Sequence, residues 1–146
     1  MVPVNHRSNL LAIFNNALRA VNGRTSVRDH LMAHPIAHHS VYLVAIGKAA
    51  AAMAEGAFDA MSSRITRALV ITKAGHGDAS LFRFRPVTWL EAAHPVPDQR
   101  SVHAGAMLLD FIRDAPPDAH FLFLLSGGTS SLVEVLPDGI TLAALT

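Results

Sequence analysis

Val41-Tyr42-Leu43-Val44-Ala45-Ile46-Gly47-Lys48-Ala49-Ala50 decides how this chain is read. The apolar run Val41–Ala45 reads as a buried strand, Gly47 as a tight turn and the Ala-rich stretch from Lys48 as a helix. A loop at the carboxyl end of a buried strand is where open α/β sheets bind ligands. Lys48 stands at the strand-to-helix junction. N–H groups and the helix dipole favour an anion there, and the ammonium is a point charge suited to phosphate or carboxylate. The competing reading is a solvated lysine after a tight turn. The spacing is not that of a phosphate loop of the Gly-x-x-x-x-Gly-Lys-Ser/Thr type.

The same grammar recurs at Phe121-Leu122-Phe123-Leu124-Leu125 followed by Ser126-Gly127-Gly128-Thr129-Ser130-Ser131. The strand His120–Leu125 is apolar along almost all its length, as expected for one covered on both faces. The loop after it combines two glycines with four hydroxyls, more than a plain turn needs. Glycines let backbone approach a ligand closely, and successive N–H groups form anion-binding nests. A hydrophilic turn is the alternative.

Working outward, two more strands end in suggestive loops. Ala68–Thr72 leads into Lys73-Ala74-Gly75-His76-Gly77-Asp78, and Val87–Glu91 into Ala92-Ala93-His94-Pro95-Val96-Pro97-Asp98. Each loop offers a histidine beside a charge, able to act as acid, base or hydrogen-bond donor. One loop histidine is weak evidence. Repetition at four successive strand ends is stronger.

The intervening patterns are helical. Ser8 caps a helix from Asn9 to Val21, with Leu10, Leu11, Phe14, Leu18 and Val21 at helical spacing and Asn22-Gly23 ending it. A second helix spans about 26–32. Lys48–Met61 lacks β-branched residues and favours helix. Asp98 or Ser101 starts a helix that reaches Phe111 or Arg113, before Ala115-Pro116-Pro117 breaks it. Residues 79–86 give no clear pattern. Strands alternating with helices imply an α/β fold, a Rossmann-like parallel sheet with flanking helices and right-handed crossovers. Near the end, Pro137-Asp138-Gly139-Ile140 reads as a turn, and Thr141 caps an apolar helical pattern in Leu142–Leu145. One turn of helix cannot sustain itself. The sequence therefore reads as the N-terminal piece of a longer protein, incomplete at its C-terminus.

Composition narrows the function classes. The chain is 51% hydrophobic and 16% charged, which allows a sizeable core and argues against disorder. Its formal charge of +1, with no basic stripe, gives no electrostatic footprint for nucleic acid. No cysteine is present, so disulfide and thiol chemistry are excluded. No apolar run reaches the ~18 residues of a membrane helix. No signal-peptide h-region stands at the start, so the expected compartment is cytoplasmic. Among the nine histidines, His34, His38 and His39 cluster, but Pro35 disrupts the helix that would align ligands. No metal-ligand spacing exists. Met32, Met53 and Met61 read as core filler, and Arg7, Arg24 and Arg28 as surface charges.

Taken in order, Ala45-Ile46-Gly47-Lys48-Ala49-Ala50 with Met53 and Ala54, Thr72-Lys73-Ala74-Gly75-His76, Glu91-Ala92-Ala93-His94-Pro95-Val96-Pro97-Asp98 with Ser101, and Leu125 to Leu132 resemble the type II glycerate kinases. These are glycerate 2-kinases with a C-terminal MOFRL domain. The resemblance covers nearly the whole chain. It implies that residues 1–146 form the first part of a Rossmann-like domain, with the rest of that domain and the second domain absent. It implies transfer of the γ-phosphoryl group of ATP, with Mg²⁺, to the 2-hydroxyl of D-glycerate. It implies Lys48 as the functional lysine and Ser126, Gly127, Gly128, Thr129, Ser130 and Ser131 as the ligand loop of the same cleft. Gly47, His76, His94 and Asp98 fall on motif positions whose individual roles stay unassigned. Some members have been labelled hydroxypyruvate reductases, although no Gly-x-Gly-x-x-Gly follows a strand here. A non-catalytic truncated remnant is the third reading. The partners expected are glycerate and ATP, with neither nucleic acid nor membrane. Half a cleft predicts an inactive isolated chain, and uncovered apolar surface predicts its self-association.

Overall fold

A computed structural model describes residues 5–145. Four strands form one sheet: β1 (Val41–Ile46), β2 (Ile65–Lys73), β3 (Val87–Ala92) and β4 (His120–Leu125). Every pairing is parallel and the order is β3-β2-β1-β4. The α/β parallel architecture expected from the sequence is the one observed.

The central strand β1 is buried at every position. Its side chains alternate between two apolar layers. Val41, Leu43 and Ala45 face α3 (Ala50–Met61), which buries Ala50, Ala54, Ala57, Phe58 and Met61. Tyr42, Val44 and Ile46 face α4 (Gln99–Arg113) with Ala104 and Phe111, and also Leu132. Alanines let α3 sit close to the sheet. Behind it lies α2 (Gly23–Ala33), packed so closely that a methyl at Gly56 would stand 2.2 Å from Arg24 O. Arg24 also bridges Glu55 (3.1 Å) and Asp59 (2.6 Å) on α3.

Local differences have local causes. Asn22-Gly23 was expected to end one helix; Asn22 instead caps the next, its side chain accepting from Thr25 N, so α2 begins at Gly23. The first helix, α1 (His6–Ala20), starts earlier than expected because Asn5 rather than Ser8 is its cap. β2 begins at Ile65, ahead of the apolar run, since backbone pairing does not require apolar Thr66 and Arg67 positions. The unclear stretch holds a 3₁₀ turn at Ala79–Phe82, and Leu142–Ala144 forms another. Met32 is 64% exposed rather than core, whereas Met53 and Met61 are buried.

Two apolar surfaces face solvent. None of the residues of α1 is buried, and Leu10, Leu11, Phe14 and Leu18 are each about half exposed or more. The apolar pattern correctly marks a helix, but none of the described residues covers its stripe. β4 lies at the sheet edge with one neighbour, and Phe123 and Leu125 are 46% and 61% exposed. It is therefore not covered on both faces, as its composition suggested. Patches of this kind drive association. Residues 1–146 produced alone should elute as dimers or larger species by size-exclusion chromatography with light scattering; a monodisperse monomer contradicts this.

A candidate anion site at the sheet switch point

The chain runs from β1 outward to β2 and β3, then returns across β1 to β4. The crossover direction reverses between β1 and β4. Loops at that switch point splay apart and leave a crevice. The two loops there are Gly47-Lys48-Ala49 and Ser126–Ser131.

They are stitched together. Lys48 N donates to Gly127 O at 3.0 Å, Ala49 N to Ser126 Oγ at 3.0 Å, and Ser126 N to Ile46 O at 2.9 Å. Ala50 N donates to Gly47 O at 3.1 Å. The N–H groups leading into α3, expected to face a ligand, are thus engaged by the protein itself. Gly47 has φ +122, and a methyl there would lie 2.2 Å from Ser126 Oγ. Only glycine allows this approach.

The hydroxyl-rich loop is likewise partly structural. Thr129 Oγ1 donates to Ser126 O at 2.7 Å, and Ser131 Oγ to Gly128 O at 3.1 Å. Ser131 is buried, and its carbonyl accepts from Ser101 Oγ at 2.7 Å. Ser130 is exposed. Gly127 is exposed too, and no atom lies within 4 Å of where its Cβ would be. Gly127→Val should therefore leave the fold intact by circular dichroism while its branched side chain blocks ligand approach. Unchanged binding of small anions would make this loop a plain turn.

The other two loops supply side chains. Gly128 has φ +93, and a methyl there would meet His94 Cδ2 at 2.8 Å, His94 Nε2 at 3.1 Å and Lys48 Cε at 3.5 Å. The missing side chain of Gly128 thus brings His94 and Lys48 beside the same point. Partial burial, then the charges of Lys48, Lys73 and His76, hold the His94 imidazole below its ordinary pKa. The neutral ring is favoured. His76 and Lys48 also border an open groove of about 430 Å³ that runs over Ala51, Ala52, Gly75, Gly77 and Leu81.

The His76 loop is held by Thr72. Its buried hydroxyl lies 3.1 Å from both Gly47 O and His76 O, linking the β1 and β2 loops. Ala74 N donates to Ala92 O at 3.1 Å, tying in the β3 loop. Gly47, Lys48, His76, His94 and the Ser126–Ser131 loop are therefore gathered at one end of the sheet. Asp98 has a different setting. It caps α4 in a reciprocal box with Ser101, and the Arg100 guanidinium beside it holds its carboxyl below the usual range. Lys73 was not singled out from sequence, nor was Thr72. Their place at the end of β2 was the available signal.

Helices packed on both faces of a four-stranded parallel sheet define a Rossmann-like α/β domain. More particularly, the chain belongs to the family described as domain of unknown function (DUF4147), which matches residues 9–146. It is 38% identical over 102 residues to a D-glycerate 2-kinase from Thermotoga maritima, covering 70% of this chain and 24% of that protein. It is 32% identical over 105 residues to a glycerate 2-kinase from Pyrococcus horikoshii, covering 72% and 22%. A protein from Agrobacterium vitis that carries the provisional name hydroxypyruvate reductase is 38% identical over 101 residues, covering 69% and 25%. The crystal structure of a glycerate kinase from Thermotoga maritima superposes with a TM-score of 0.83 at 32% identity, over 97% of this chain and 33% of that one. The chain spans about a quarter of the curated relatives it matches and a third of the solved neighbour. No helix among the described residues is long and apolar enough to cross a membrane.

Proposed function

We propose that this chain is the N-terminal part of an ATP-dependent glycerate 2-kinase of the type II, MOFRL-bearing class, forming one wall of a cleft that further domains complete. The observation that carries the reading is the meeting of Lys48 and His94 at Gly128. A small hydroxy acid presents a carboxylate and hydroxyls close together. A lysine side chain beside an imidazole biased toward its neutral form matches that pair. Phosphoryl transfer is largely positioning and stabilisation of spread negative charge, for which a lysine and glycine-rich loops are suitable parts.

ATP, when bound, supplies the phosphoryl group. Lys48 and the open face of Gly127 and Ser130 are the parts of this chain that would hold anionic oxygens. Among the described residues no group of three His, Cys, Asp or Glu could hold a metal ion. The test is a fusion in which residues 1–146 replace the matching third of the Thermotoga maritima glycerate kinase. Glycerate-dependent ADP release supports the reading. Hydroxypyruvate-dependent NADH oxidation without ADP release would move it to the reductase named among the Agrobacterium vitis relatives. Residues 1–146 alone should release no ADP.

A further inference from the structure

Resting on that reading, we propose that His94 accepts the proton of the substrate's 2-hydroxyl while Lys48 holds the adjacent carboxylate. The hydroxyl and carboxylate of a 2-hydroxy acid sit on neighbouring carbons, so the groups that hold them must themselves be neighbours. Lys48 Cε and the Cδ2–Nε2 edge of His94 both lie within 3.5 Å of the point where a Gly128 side chain would begin. Any residue larger than glycine there would push them apart.

The electrostatics suit the roles. Charged and titratable groups acting on His94 are Lys48 after β1, Lys73 at the end of β2 and His76 just beyond it; the carboxylates nearest it in sequence are Glu91 on β3 and Asp98 at the α4 cap. The carboxylates have other partners: Glu91 Oε2 accepts from Gly75 N at 3.3 Å, and Asp98 pairs with Arg100 at 2.8 Å. Partial burial first and then the cations lower the His94 pKa and favour the unprotonated ring, as a base requires. In the step, the hydroxyl proton passes to His94 Nε2. The freed oxygen lone pair forms the bond to the γ-phosphorus of a nucleoside triphosphate. The bond from that phosphorus to the β–γ bridging oxygen breaks, and its electron pair leaves on the nucleoside diphosphate.

The test uses the fusion enzyme, in which residues 1–146 replace the matching third of the Thermotoga maritima glycerate kinase, labelled with ¹⁵N at histidine and titrated from pH 6 to 8 with D-glycerate or 3-hydroxypropionate. Both carboxylates stay almost wholly charged over this range, since an unperturbed carboxyl titrates at about 4.3 or below. Glycerate should shift the His94 Nε2 resonance. 3-Hydroxypropionate, which lacks the 2-hydroxyl, should compete with glycerate yet leave Nε2 largely unmoved. Lys48→Met should raise the His94 titration midpoint and weaken glycerate by at least about tenfold, the loss of one charge-assisted contact. Equal Nε2 shifts from both acids would remove His94 from the hydroxyl but leave the anion site standing. Absence of binding by either acid, checked by calorimetry, would overturn the site and this role together.

Discussion

Lys48→Ala in the fusion enzyme should lower kcat/KM for glycerate phosphorylation by at least ~10²-fold, a normal loss for one charged stabilising group. Lys48 is exposed and lies at the turn between β1 and α3. Its backbone N–H is already engaged with Gly127 O, and truncation does not disturb that bond. The fold should therefore survive, and the loss should be one of charge. Lys48→Arg should recover part of the activity, because the charge returns with a different shape. Near-wild-type kinetics for Lys48→Ala would remove the residue from the site.

Gly47→Ala should be the most damaging small substitution to stability. Its φ of +122 is one that side-chain-bearing residues rarely adopt, and its Cβ would stand 2.2 Å from Ser126 Oγ and 2.7 Å from Ser126 O. Conformational strain and overpacking together should cost about 3 kcal/mol. For a chain of this length that is a fall in Tm of about 10 °C. Relief requires moving the Ser126 backbone, which would release the cap on Ala49 N. Gly127→Ala, where open space surrounds the Cβ position, is the internal control. Equal melting temperatures for the two variants would contradict the close approach of the loops.

Much of this was legible in the sequence. β1, β3 and β4 lie within a residue of the apolar runs that announced them, because strands buried in a parallel sheet need little besides continuous hydrophobicity. That the four strand-end loops gather at one end of the sheet was legible too, because parallel strands put their carboxyl ends together. Three things were not. The exposed stripe of α1 has the same periodicity as a buried one, since pattern reports amphipathicity and not what covers it. The hydroxyls of Thr129 and Ser131 looked like ligand donors, yet hold backbone a turn away, a choice fixed by loop geometry. Lys73 was read as part of the His76 loop and its motif, without a role of its own. Only the register of β2 between β1 and β3 places it near His94.

The cap of Ser126 on Ala49 has a consequence for synthesis. Its two partners are separated by 77 positions. During translation, β1, β2 and β3 can pair as soon as residue 92 has emerged, while the inner edge of β1 stays open until β4 follows. Until then the start of α3 lacks its cap, and the crevice has one lip. Pairings so distant in sequence form slowly, and an open strand edge is a hazard while they do. The ribosome thus releases the three-stranded scaffold first and the loop that faces Gly47 and Lys48 later. A nascent chain stalled near residue 115 should show protected amides in β2 but none at Ala49, and should depend on holdase chaperones more than one stalled beyond residue 132.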